Sequence, residues 1–154
     1  MTIATHQEDF SVRVNTWLHE RAPGASLDTD GVASLMRDDQ TFIQIEVPPG
    51  SAVCHWYAPV APLPEFDPES ALLAALELNR YGRPLGGCWL AWDPDIQMLM
   101  LCYNLSLQAA DSISFGNTMD NFIAALDAAR LLMSPEDDRF IPAPFDADQL
   151  LSNV

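Results

Sequence analysis

Apolar positions along this chain change period several times, and the changes divide it into elements. Phe10, Val14, Trp17, Leu18 and Arg21 recur every three or four residues, the spacing that lines one helix face, and Pro23-Gly24 closes the run. The spacing predicts a helix over 8–21. Three runs with strand-like alternation follow. The first covers 32–37 and stops at Asp38-Asp39. The second covers 41–47, with Phe42, Ile43, Ile45 and Val47, and stops at Pro48-Pro49-Gly50. The third covers 51–58 and sets Val53, His55 and Tyr57 on one face, Cys54 and Trp56 on the other. Their connectors are too short for parallel crossovers, so the three form an antiparallel meander.

A proline-marked connector over 59–66 leads to Asp67-Pro68-Glu69, which reads as an N-cap, a first-position proline and a first-turn acid. The helix that follows runs to about Tyr81, with Leu72, Leu73, Leu76 and Asn79 along one side, and Gly82 and Pro84 stop it. Two strands, 85–92 and 96–105, flank a tight Asp93-Pro94-Asp95 turn. A last helix starts at Ser112 or Ser114 and repeats Phe115, Met119, Phe122, Leu126, Ala129 and Met133. The order is α-β-β-β-α-β-β-α. It implies an α+β fold, an antiparallel sheet with helices packed mainly on one face. One domain spans 1–133, and 134–154 is an acidic tail carrying Phe140, Ile141, Phe145, Leu150 and Leu151.

The last two strands are apolar on both alternating faces. Cys88, Leu90 and Trp92 oppose Trp89 and Ala91; Leu99, Leu101 and Tyr103 oppose Met98, Met100 and Cys102. An antiparallel sheet covered on one side normally shows water a polar face. Two apolar faces imply a second cover, from another subunit, a bound partner, or the last helix and tail. Methionine-rich surface suits varied apolar segments.

Composition narrows the chemistry. At 154 residues and 49% hydrophobic, the chain is long enough for one core without disulfides or metals. Its formal net charge of −15 disfavours nucleic-acid backbones and anionic membranes. All seven basic residues are arginine, so a Walker A lysine, a Schiff-base lysine and a lysine nucleophile are excluded. Three cysteines without a CxxC pair suit reduced thiols. The first ten residues lack the pattern of a secretory signal, and no apolar run approaches the ~20 residues that span a bilayer. Cys54 and His55 are adjacent on a strand, so they point to opposite faces and cannot form a dyad. His6, His19 and His55 share no metal-ligand spacing with the cysteines. Cys88 and Cys102 share parity, which would let them face the same way. Asp93/Asp95 and Asp137/Asp138 read as turn chemistry and a solvated acidic run. Gly86-Gly87 lacks the dinucleotide-binding pattern. No catalytic constellation, cofactor site or metal site emerges.

These segments resemble the Tir-chaperone family, the class I chaperones of type III secretion. The matching pieces are Leu72-Leu73-Ala74-Ala75-Leu76, Gly86-Gly87-Cys88-Trp89-Leu90, Asp93-Pro94, Leu99-Met100-Leu101, and residues 122–132 in the last helix, in that order across about 8–133. The resemblance implies a cytoplasmic bacterial homodimer that holds the N-terminal chaperone-binding segment of a secreted effector unfolded and secretion-competent. It places dimer contacts on Leu73, Leu76, Asn79, Trp89 and Ala91. Partner binding falls on Val14, Trp17, Phe42, Ile45, Val53 and Trp56, by docked side chains or an added edge strand. The family commonly ends soon after its last helix, so the tail is a departure, expected to shield an apolar groove until a partner arrives. A rival reading is a non-secretory interaction or regulatory module, YbjN-like or an immunity protein. A third is an enzyme with a Cys54 nucleophile, which the strand geometry opposes.

Overall fold

The computed structural model describes residues 3–38, 41–80 and 84–134. Their element order is α1 (Ile3–Arg21), β1 (Val32–Asp38), β2 (Thr41–Glu46), β3 (Val53–Pro62), α2 (Pro68–Asn79), β4 (Trp89–Asp93), β5 (Met98–Ser106) and α3 (Ser112–Leu132). This is the expected α-β-β-β-α-β-β-α order. The five strands form one antiparallel sheet in the order β1-β2-β3-β5-β4.

One face of the sheet is filled. Ala33 and Leu35 of β1, Ile43 and Ile45 of β2, Cys54, Trp56 and Ala58 of β3, Leu99 and Leu101 of β5 and Leu90 of β4 all belong to a single buried cluster. α3 lies on it with Phe115, Phe122, Leu126 and Ala129, and α1 adds Val14, Trp17 and Leu18. Trp56 stands between the rings of Phe115 and Phe122, at 5.2 and 5.8 Å, and Phe115 also meets Trp17 at 5.5 Å. These aromatics tie the sheet to both helices. Trp56 Nε1–H is buried without a hydrogen-bond acceptor; the sulfur of Cys54, two residues back on the same face, is a weak partner at best.

Local chemistry sets several boundaries away from the expected ones. α1 begins at Ile3, five residues before the expected start at residue 8. β3 continues through the proline connector to Pro62, with a register shift between Pro59 and Ala61 that accommodates the ladder bonds proline cannot donate. β4 begins only at Trp89, because Leu85-Gly86-Gly87 forms a turn with both glycines at positive φ. The β4–β5 turn extends through Ile96 and Gln97, the latter at φ 55, so β5 starts at Met98.

The caps follow more closely. Asp67 caps α2 through Ser70 N–H, with Pro68 at the first turn. Asp111 and Ser114 form a reciprocal capping box on α3. The Asp111 carboxyl is held below its ordinary value by the Ser114 backbone and hydroxyl bonds.

α3 is fastened to both ends of the layer. Arg37 makes a two-armed contact with Asp127, and Arg130 Nη2 donates to Pro59 O at 2.8 Å. Near its start, Arg13 Nη2 donates to Ala110 O at 2.7 Å and Ser112 bonds Glu20. Arg21 lies across Gly116 to reach Asp120 at 3.5 Å.

Candidate partner and dimer surfaces

The face of the sheet opposite α1 and α3 is contacted by no helix among the described residues. Its side chains sort into cross-strand rows. Glu46 opposes His55, which opposes Asn104; Tyr57 Oη donates to Glu46 Oε2 at 3.0 Å and His55 Nδ1 lies 2.6 Å from Asn104 Oδ1. This end of the face is polar. Burial, then the Glu46 carboxylate, pushes the Tyr57 phenol above its ordinary range. Next comes a mixed row, Gln44, Tyr57, Cys102 and Trp89. Toward the other end Met36 opposes Phe42, and Pro59, Met100 and Ala91 stand side by side. The β2–β3 ladder ends at Gln44 and Tyr57; two residues further along each strand, Phe42 and Pro59 follow on the same open face, so apolar side chains stand toward this end on all five strands. Within the face a shallow depression of about 360 Å³ is floored by Tyr57, Ala91, Met100 and Cys102, with Asp93 at its rim.

The second surface is α2. Its inner side buries Ala75 and Leu78, and it touches β4. Asn79 reaches the outer edge of β4, where its Nδ2 donates to Leu90 O at 2.9 Å and its Oδ1 accepts Leu90 N–H at 2.7 Å. One amide thus replaces a neighbouring strand. The outer side presents Leu73 and Leu76, 62% and 65% exposed, and Phe66 just before the helix is 90% exposed.

The residues singled out from sequence therefore separate. Val14, Trp17, Ile45 and Trp56 are inside the protomer core. Phe42 is exposed and Val53 half-buried, both on the open sheet face. Of the dimer candidates, Leu73 and Leu76 are exposed on α2, Trp89 and Ala91 are half-buried on the open face, and Asn79 is engaged within its own protomer. Met36 and Met100 extend this apolar end and were not among the expected partner-binding residues; alternation along the last strand had marked Met100, and cross-strand register brings Met36 beside Phe42. The tail, with Phe140, Ile141 and Phe145, lies outside the described residues.

The thiols are shielded. Register pairs Cys102 with Trp89, so Cys88 stands opposite Tyr103 and faces α3, while Cys102 lies on the open face. The expectation that they face the same way is corrected by the β4–β5 register, in which the turn lengthens so that Asp93 pairs with Met98, and they are placed on opposite sides of the sheet. Burial raises Cys54 to about 12 and Cys88 and Cys102 to about 11, which keeps all three as neutral thiols at ordinary pH. Among the described residues no three His, Cys, Asp or Glu side chains converge as metal ligands, and no helix is long and apolar enough to cross a membrane.

A helix-backed antiparallel sheet with an uncovered apolar row and an outward leucine pair defines a protein-binding protomer. The model of the Tir chaperone protein (CesT) family matches residues 21–130, and the chain belongs to that family. No curated protein sequence matches. Solved structures share the fold. A chain of the ExsC–ExsE complex superposes with TM-score 0.69 at 21% identity, covering 82% of this chain and 97% of its own length. A chain of the HopA1–SchA chaperone–effector complex gives 0.65 at 9%, covering 82% and 97%. One from the ExoU–SpcU complex of the Pseudomonas aeruginosa type III secretion system gives 0.61 at 19%, covering 79% and 98%.

Proposed function

We propose that this chain is a cytoplasmic bacterial chaperone that works as a homodimer. It binds the N-terminal region of a type III secretion effector and keeps it unfolded and competent for export. It acts by binding, without catalysis, cofactor or metal. The observation that carries the reading is family membership over residues 21–130, in a protomer that leaves apolar side chains uncovered in two places. The matched folds come from complexes described as chaperone–effector or type III secretion assemblies, which favours the same class of client here.

The two surfaces divide the work. Leu73 and Leu76 on α2, with Trp89 and Ala91 beside them in the chain's dimer set, meet a second copy. Asn79 supports that surface indirectly, by holding α2 against β4. Phe42 and Val53 on the open face meet the client. Val14, Trp17, Ile45 and Trp56 shape the client surface from beneath, as the layer on which the sheet rests. The net charge of −15 keeps the apolar areas soluble while they are empty.

The test is co-purification with the effector encoded beside it, followed by light scattering. One effector fragment per two chains is expected, and Leu73→Asp with Leu76→Asp should give monomers. A wild-type monomer that retains no effector segment would leave the non-secretory interaction module as the better description.

A further inference from the structure

The five-strand row Met36–Phe42–Pro59–Met100–Ala91 spans roughly 19 Å at ordinary strand spacing. Its β4 end adjoins Trp89, part of the proposed dimer surface. Its other end, Met36 and Phe42, is 59% and 48% exposed, and none of the described elements covers it. The C-terminal end of α3 is fastened at this same end of the sheet, through Arg37–Asp127 on β1 and Arg130 to Pro59 O on β3. The chain therefore leaves α3 next to the backbone that carries the row, on the opposite side of the sheet.

Twenty residues, 135–154, continue beyond that point. The stretch Phe140-Ile141-Pro142-Ala143-Pro144-Phe145 is their densest apolar run. Phe140 is seven residues past Met133, a reach of about 23 Å in extended chain. A helix is about 10 Å across, so that reach rounds the end of the sheet to the open face. Pro142 and Pro144 have fixed φ, which lowers the entropy lost when the run is held extended. Tethering gives the tail an effective concentration in the millimolar range, an advantage no separate copy has.

We propose that the chain's own C-terminal segment, through Phe140, Ile141 and Phe145, covers the Met36–Phe42–Pro59 end of the row. On the chaperone reading, a client must displace it, so the tail sets a threshold for client binding. The docking itself does not depend on that reading.

The experiment uses the full chain with no client present. Benzoylphenylalanine replaces Phe42, isotopically heavy and light copies are mixed, and the cross-linked peptides are mapped after irradiation. Links from position 42 to 140–145 within a single isotope class are expected. They should be lost in Phe140→Asp/Ile141→Asp/Phe145→Asp. Links only to other segments, only between heavy and light copies, or unchanged in the triple variant overturn the docking. The triple variant should also bind a client's N-terminal fragment about tenfold more tightly, the factor expected if the tail covers the row in nine molecules of ten. Equal affinity overturns the threshold. Failure of both forms to bind any client counts against the chaperone reading, while the cross-link still decides the docking.

Discussion

At residue scale, Asn79 shows how one side chain can stand in for a strand. It satisfies both backbone groups of Leu90 at an edge where α2 excludes water. Asn79→Ala leaves a part-buried donor and acceptor without partners, at a cost of about 1–3 kcal/mol. Urea unfolding should show the unfolding free energy fall by that amount, read as a lower midpoint at unchanged slope, and Asn79→Asp should not restore it, because a carboxylate faces Leu90 O. Two glycines make an opposed pair. Gly31 sits at φ +82, and an added Cβ would lie 2.4 Å from Val47 O, a backbone atom that cannot swing away. Gly31→Ala should destabilise by roughly 2 kcal/mol or more. At Gly116 the atoms in the way belong to the exposed guanidinium of Arg21. That side chain can rotate off at the expense of a surface ion pair with little net value. Gly116→Ala should therefore be neutral or stabilising by up to about 1 kcal/mol, the helix preference for alanine. Thermal melts should show the midpoint lowered in Gly31→Ala and unchanged or raised in Gly116→Ala.

At the scale of elements, α2 has two jobs on two faces. Its inner face completes the core with Ala75 and Leu78, while its outer face leaves Leu73 and Leu76 to water. Aspartate at both outer positions should separate copies with little loss of protomer stability, since neither side chain is packed within its own chain. Sedimentation velocity checks the first expectation and circular dichroism the second. A fall in helix content along with dissociation would mean that α2 needs its partner in order to form. The sheet elements were readable from alternation except where prolines and glycines intervened. Pro59 and Pro62 looked like a connector, yet β3 carries them by shifting register. Gly86 and Gly87 looked like part of a strand, yet their positive φ turns the chain before Trp89.

At the scale of the whole molecule, the three buried thiols couple stability to alkali. Each has its ionisation raised from an ordinary value near 9, to about 12 for Cys54 and about 11 for Cys88 and Cys102. Above pH 9 the unfolded chain releases thiol protons that the folded chain still holds. The unfolded state then binds fewer protons, and the linkage sign makes stability fall as pH rises. Below pH 9 the thiols contribute no slope. Urea midpoints measured from pH 8 to 11 should hold and then decline, and Cys54→Ala should flatten part of the decline while lowering the plateau. A disulfide-forming reagent should leave the folded chain unmodified at pH 8 and label all three thiols in urea. The same scale decides the candidate site. Val14, Trp17, Ile45 and Trp56 carry the large apolar side chains expected of a binding surface, and all four are buried in the protomer core, Trp17 and Trp56 against rings of α3. Phe42 and Val53 have the same character and stay on the open face.

Periodicity by itself determined the element order, the α+β class, the two-faced strands and the caps at Asp67, because each depends on neighbours within a few residues. The absence of lysine and the separation of Cys54 from His55 likewise follow from the chain alone. Which apolar face α1 and α3 would take, and that Met36, Phe42, Pro59, Met100 and Ala91 would join in one row, was decided only in three dimensions. Cross-strand register and helix placement join residues tens of positions apart, and a one-residue change in register, such as the longer turn that pairs Asp93 with Met98, inverts which side a residue such as Cys88 occupies relative to Cys102.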